Sequence, residues 1–240
     1  MFLREVTLLK EKMPPPSEYP FSLPLIRKIS TLRLSRPVTF FVGENGSGKS
    51  TLLEAMAYQC GFNTAGGGRN NAYEVDRAES ALGDYVRLSW KPKVTGGFFM
   101  RAESFYSFAT HIDQIGGTSS YGGVSLHSQS HGESFLSLFR YRFQSKGIYL
   151  LDEPEAALSP ARQLALLRII KDLSGQAQFV IATHSPILMG YPEAQILNFD
   201  GDPIAPIDYE DTDHYQITRG FLENRRGVLH ALFDDEDDEA

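Results

Sequence analysis

Apolar residues along the chain fall into short uniform blocks, separated by polar stretches rich in glycine and proline. Residues 38–42, 148–151, 179–182 and 196–199 are too short and too evenly apolar for amphipathic helices, and read as buried strands. Residues 1–10 and 32–34 read as further strands, and residues 85–90 and 97–102 as two strands around the turn KPKVTG. Helical spacing predicts a helix from Thr51 to about Gly61 and another over 159–174, with Ser159 as N-cap and Pro160 at its first position. A third starts near Gly132 or Glu133 and turns Phe135, Leu136, Leu138 and Phe139 inward; the last covers 213–224. Residues 104–115 are a weaker helical stretch. Residues 13–24 form a proline-rich loop, 61–72 a glycine-rich one, and 116–123, GGTSSYGG, a segment flexible by composition. Strands alternating with helices in the second half predict an α/β fold with a parallel sheet flanked by helices.

Composition adds bounds to this pattern. The chain has 240 residues, 42% of them hydrophobic, enough for an ordinary core. There is no run of 18 apolar residues, and charges interrupt the apolar N-terminus MFLREVTLLKEK, so neither a membrane span nor a signal peptide is expected. The single Cys60 has no partner for an internal disulfide and reads as a small packed residue. A cytoplasmic location is the expectation. The net charge is −7, but residues 234–239, DDEDDE, form an acidic tail expected to be disordered. The remaining body is close to neutral and carries no broad electrostatic sign of nucleic-acid binding.

The most specific chemistry lies at GENGSGKST, comprising Gly43, Glu44, Asn45, Gly46, Ser47, Gly48, Lys49, Ser50 and Thr51. A strand pattern precedes it and a helix pattern follows, the context a phosphate-binding loop requires. Its glycines let backbone N–H groups close around a polyphosphate, and the following helix points its positive end there. Lys49 can reach the β- and γ-phosphates and Ser50 can hold Mg²⁺.

Downstream, the strand IYLLDE ends in Asp152 and Glu153. Asp152 suits Mg²⁺ and Glu153 suits a water-orienting base. Two acids ending a strand also occur as a solvated terminus, but after a phosphate loop the pattern gains weight. His184, in IATHSP, follows another apolar strand, where it can touch the γ-phosphate and the water beside Glu153. Between these, QSHGES places Ser130 and Gly132 at a helix start, a second anion site. A chain that already has one phosphate loop has use for a second site if it serves the nucleotide of another subunit.

In this order, GENGSGKST, QSHGES, LLDEPEAALS and ATHSP resemble the Walker A, signature, Walker B with D-loop, and H-loop motifs of ABC-type ATPases. The wording SHGES and DEPEAALSP resembles the SMC, RecF and OLD-like heads. The whole chain, including EYPFSLPLIRKI and FFMRAESFY, is similar to small bacterial AAA/ABC-type ATPases made of little besides this head. The resemblance implies a P-loop NTPase with a mixed sheet and parallel core. It implies one domain over 1–233 with a smaller signature lobe at 93–145. It further implies a homodimer with two ATP molecules and Mg²⁺ between the heads, each ATP on Lys49 of one copy and against Ser130 and Gly132 of the other. Residues 156–159 then cross between the sites. His131 and Glu133 depart from the usual signature, and no glutamine loop follows residues 97–102; Glu103 stands there, as a magnesium-facing acid, a solvated acid or a helix cap. Tyr19, Phe21 and Arg27 are alternatives for the adenine contact.

Three functions compete: an ATPase acting on DNA or with a nucleic-acid-acting partner in repair or anti-phage defence, the nucleotide-binding subunit of a membrane transporter, and a small-molecule kinase or another P-loop enzyme. The stretch between Lys49 and Ser130 is short for a lobe that docks membrane subunits, and a kinase has no use for Ser130 and His184. The first reading is favoured.

Overall fold

The computed structural model describes residues 1–64, 66–67, 77–103, 110, 134, 136, 139 and 146–234. Ser130, Gly132, His131, Glu133 and the helix packing of Phe135 and Leu138 lie outside them, as do residues 235–240 of the acidic tail and nearly all of the helical stretch 104–115. Two sheets organise the described residues. The smaller is antiparallel, in the order β2 (Thr31–Arg33), β1 (Leu3–Leu8), β4 (Val86–Trp90). The larger runs β5 (Gly97–Arg101), β6 (Gly147–Asp152), β7 (Ala177–Ala182), β3 (Val38–Val42), β8 (Gln195–Asn198), β9 (Ala205–Pro206). Its pairs are parallel except β8 with β9, so it is a mixed sheet with a parallel core.

The uniform apolar blocks are explained by burial on both faces. Along β3, Phe40 and Phe41 are both fully buried but belong to opposite layers. Tyr149, Leu151, Phe179 and Ile181 pack on one side with Leu166 and Ile170 of α3 (Pro160–Leu173) and Leu188 of α4 (Pro186–Met189). Phe41, Leu150 and Val180 pack on the other with Leu52, Leu53 and Met56 of α2 (Lys49–Cys60), and with Leu3, Val6 and Val86 of the small sheet. Cys60 is buried in this second layer, in keeping with its reading as a small packed residue. A short helix, α1 (Pro24–Lys28), closes the proline-rich loop and buries Leu25 beside the phosphate loop. Ser159 and Pro160 take their expected places at the start of α3, although the Ser159 side chain makes no capping bond.

Two expectations need correction. Residues 85–90 and 97–102 do form strands, but β4 joins the small sheet and β5 the large one, so the turn between them links layers rather than a hairpin. Their local alternation carried no information about partners. The last helix is followed by another: α5 (Asp213–Glu223) and α6 (Arg225–Asp234) meet at Asn224, whose side chain accepts from the Gly227 N–H. Among the described residues no helix is long and apolar enough to cross a membrane.

Candidate functional site

The C-terminal ends of β6, β7, β3 and β8 lie side by side, and each passes directly into a polar segment. This edge of a parallel sheet is where ligands collect in α/β folds. From β3 the chain enters Gly43, with φ +141°, where an added Cβ would stand 2.9 Å from the Asp200 carboxylate oxygens. Gly48, at φ +98°, forms the N-terminal end of α2, and an added Cβ would meet Leu25 Cβ at 2.8 Å. Both positions therefore require glycine, on conformational and steric grounds.

The Lys49 side chain turns back into this loop. Its Nζ donates to the carbonyls of Gly43 at 2.6 Å and Glu44 at 2.9 Å, and lies 3.5 Å from Ser47 Oγ. Burial pushes its ammonium below the usual lysine range, opposed by the negative Asp200, Glu153, Asp152 and Glu44. Asn45, Gly46, Gly48, Lys49, Ser50 and Thr51 line a cavity of about 190 Å³ with Tyr19, Leu23 and Glu153. The Tyr19 hydroxyl is 3.1 Å from Thr51 Oγ1. Phe21 instead packs edge-on against Tyr85, and Arg27 lines a neighbouring cavity. Of the three adenine-contact alternatives, Tyr19 alone lines the loop cavity.

Ser50 Oγ donates to Asp152 Oδ1 at 2.8 Å. Burial pushes the Asp152 carboxyl up to about 6; the Ser50 bond and the Arg101 guanidinium oppose this, while Glu153 and Glu103 add to it. A hydroxyl and a carboxylate converging beside a phosphate loop suit Mg²⁺, which takes one or two protein oxygens and fills its shell with phosphate and water. Arg101 is placed by register, opposite Asp152 across the β5–β6 pair. Its guanidinium lies 3.5 Å from Asp152, 3.2 Å from Glu54 and 3.5 Å from Glu103. Glu103 is the outermost acid of the chain of contacts, with its side chain 80% exposed.

Glu153 sits one residue beyond Asp152 in a left-handed conformation, φ +48°. A non-glycine residue held there carries strain of about 1 kcal/mol, a cost that persists only where neighbours fix the backbone. The Glu153 N–H donates to the Ala182 carbonyl at 2.9 Å, which aims its side chain across the end of β7. There Glu153 Oε1 is 3.7 Å from His184 Nε2. The His184 backbone N–H donates to Glu155 Oε1, and its Nδ1 lies 2.8 Å from His214 Nε2 of α5. Burial pushes the His184 imidazole below its ordinary range, reinforced by Lys49 and His214 and opposed by Glu153 and Glu44. Next to it, buried Ser185 donates to Gln163 Oε1, and Gln163 Nε2 donates to the Leu158 carbonyl. One amide thereby ties the segment after Glu153 to the segment carrying His184.

The structure thus gathers Lys49, Ser50, Asp152, Glu153 and His184 at one sheet edge. Sequence reasoning missed Arg101, Asp200, Gln163 and His214. Asp200, whose carboxylate accepts from the Glu44 N–H at 2.9 and 3.0 Å, had the same signal as Asp152, an acid closing an apolar strand. His214 had none, being polar on a surface helix thirty positions away.

Two family models match the chain. One, described as "AAA domain", covers residues 24–138; the other, described as "AAA domain, putative AbiEii toxin, Type IV TA system", covers residues 122–190. The arabinose import ATP-binding protein AraG of Ralstonia nicotianae is 28% identical over 159 residues, 58% of this chain and 31% of that protein. The thiamine import ATP-binding protein ThiQ of Haemophilus ducreyi is 28% identical over 156 residues, 58% of this chain and 72% of that protein. This chain therefore spans about a third of the first relative and most of the second. Among solved structures, the SMC head domain from Thermotoga maritima is similar at 18% identity, with TM-score 0.47, over 87% of this chain and 100% of that one. The phosphate loop at the edge of a mostly parallel sheet gives this chain an α/β P-loop fold, and its sequence is similar to ATPases of the AAA/ABC type.

Proposed function

We propose that the chain binds ATP with Mg²⁺ and hydrolyses it to ADP and phosphate. The observation that carries this reading is the convergence at one sheet edge of Lys49 and Ser50 from the start of α2, Asp152 and Glu153 from the end of β6, and His184 from the segment after β7, with Lys49, Ser50 and Glu153 lining the loop cavity. The loop N–H groups of residues 45–50 and Lys49 hold the phosphates, and Tyr19 offers its ring to the base. Ser50 and Asp152 hold the metal, which when bound offsets charge developing on the phosphates. Glu153 orients the attacking water and accepts its proton; His184 donates to the terminal phosphate. Glu103, exposed beside Arg101, would act on the metal only through its outer water shell.

The reading extends to assembly. One domain over 1–233 pairs head to tail with a second copy, whose Ser130 and Gly132, in the lobe at 93–145, complete each site. ATP then favours the closed pair because it contacts both copies only there. Ser130→Arg is expected to block closure while leaving ATP binding to the single chain intact. Dimer formation by that variant in ATP, measured by light scattering, would contradict the shared site.

For the role of the cycle, we favour DNA repair or anti-phage defence with a partner in the cytoplasm. The family description that names a type IV toxin–antitoxin system supports the defence side. The import names of the two curated relatives favour a second reading, the nucleotide-binding subunit of a transporter. ATPase rates with and without single- and double-stranded DNA, run beside mass measurement with and without ATP, separate the two. Stimulation by DNA supports the first. No stimulation, with recovery of a membrane protein on the tagged chain, supports the second.

A further inference from the structure

His184 presents its two ring nitrogens to different surroundings. Nε2 is buried, has no hydrogen-bond partner among the described residues, and faces Glu153 Oε1 at 3.7 Å. Nδ1 lies 2.8 Å from His214 Nε2. That separation accommodates one proton between two nitrogens, so one ring donates and the other accepts. If His184 donated through Nδ1 as a neutral ring, its Nε2 lone pair would face the Glu153 carboxylate and, with nucleotide bound, a phosphate oxygen. Acceptor would then face acceptor, an arrangement that leaves the ring without a donor toward either group. If His214 donates, His184 keeps its proton on Nε2, where both acceptors lie.

His214 is well placed to impose this choice. It is the second residue of α5, and that helix start is fixed to the His184 segment. The Tyr209 hydroxyl donates to the Pro186 carbonyl at 3.0 Å, and buried Thr212 donates to the Tyr209 carbonyl at 2.8 Å. The His184 backbone is held separately, through Glu155 and through the Ser185–Gln163 pair. What these leave open is rotation of the imidazole and the site of its proton, since a ring flip exchanges the two edges at little cost.

We infer that His214 is a positioning residue: by donating Nε2–H to His184 Nδ1 it fixes the ring orientation and tautomer that aim a His184 N–H at the terminal phosphate. The inference rests on the proposed role of His184 in hydrolysis, but its structural half can be read without turnover.

The test uses the full chain with ¹⁵N-labelled histidine. Long-range proton–nitrogen spectra are expected to show His184 protonated on Nε2 in the parent protein. In His214→Phe, which keeps a ring but removes the donor, that preference should be lost and kcat for ATP should fall about tenfold with KM nearly unchanged. His214→Gln, whose amide nitrogen can stand where Nε2 stood, should restore both to within about twofold of the parent. Three results would overturn the inference: His184 protonated on Nδ1 in the parent, parent-rate hydrolysis by His214→Phe, or failure of a folded His214→Gln to restore the tautomer. His184→Ala separates the two levels. Full activity in that variant refutes the functional role of His184 and leaves the tautomer result to stand or fall alone.

Discussion

The sheet edge that carries the phosphate loop and the C-terminal helices α5 and α6 sit next to each other yet are built on opposite terms. At the edge, Lys49, Asp152 and Thr183 are nearly inaccessible, and the strands delivering them are buried on both faces. On the helices, Ile217, Leu222, Leu232 and Phe233 are 71, 74, 62 and 66% exposed, and α5 buries no residue. His184 and His214 bridge the two regions. The contrast separates residues whose positions are over-determined by the core from residues that hold their place through one or two polar contacts. It predicts that damage at the edge is severe and chemical, and that damage on the helices is slight unless it touches His214.

The largest effect is expected for Lys49→Ala. It removes the buried cation of the loop and should lower kcat/KM for ATP about 10³-fold, some 4 kcal/mol of transition-state stabilisation. Glu153→Gln comes next. It keeps shape and ATP binding but removes the proton acceptor, so kcat should fall about 10²-fold while the ATP-bound dimer accumulates. Steady-state rates and mass measurement read both. Turnover at the parent rate by Glu153→Gln would move the water-orienting role elsewhere on the edge.

What could be read from the chain follows the same division. The strands of the large sheet were legible because burial on both faces writes a uniformly apolar block, and the phosphate loop because its backbone geometry admits glycine alone at Gly43 and Gly48. Those are local demands, and they leave local marks. Strand pairing was not legible: β4 and β5 are close in sequence, but their partners β1 and β6 are set by which layer each can fill. Nor was α6, because the glycine and exposed apolar residues of 225–234 mimic an irregular tail. Arg101 and His214 act through partners distant in sequence, and no spacing rule links an arginine closing one strand to an acid closing another.

A third prediction tests whether the core truly governs the edge. Gln178 on β7 is fully buried; its Oε1 accepts from the N–H groups of Phe2 and Leu3 at 2.7 and 2.8 Å, and its Nε2 donates to the Leu3 carbonyl at 2.9 Å. One amide thus fastens the small sheet to the strand that leads to His184. Gln178→Leu keeps the volume but leaves three backbone groups buried without partners, and should cost about 2 to 3 kcal/mol in urea unfolding. If stability is unchanged, the small sheet is not fastened by this residue and the edge owes less to its neighbours than the burial implies.

The smallest effect is expected on the helices themselves. Ile217 and Leu222 lie on the exposed side of α5, where replacement by serine removes apolar surface already in contact with water. Transfer energy is lost only when buried area is lost, so Ile217→Ser with Leu222→Ser should change stability by less than about 0.5 kcal/mol. ATP turnover should also stay at the parent level, because the helix start that carries His214 is anchored by Thr212 and Tyr209 at the other end, not by these two side chains. A loss of more than about 1 kcal/mol in unfolding would mean that this face is covered in solution. A loss of turnover without loss of stability would mean that the helix reaches the site through more than one histidine. Either result would erase the contrast between the two regions, since it would make the exposed helices part of the structure that the core was argued to supply alone.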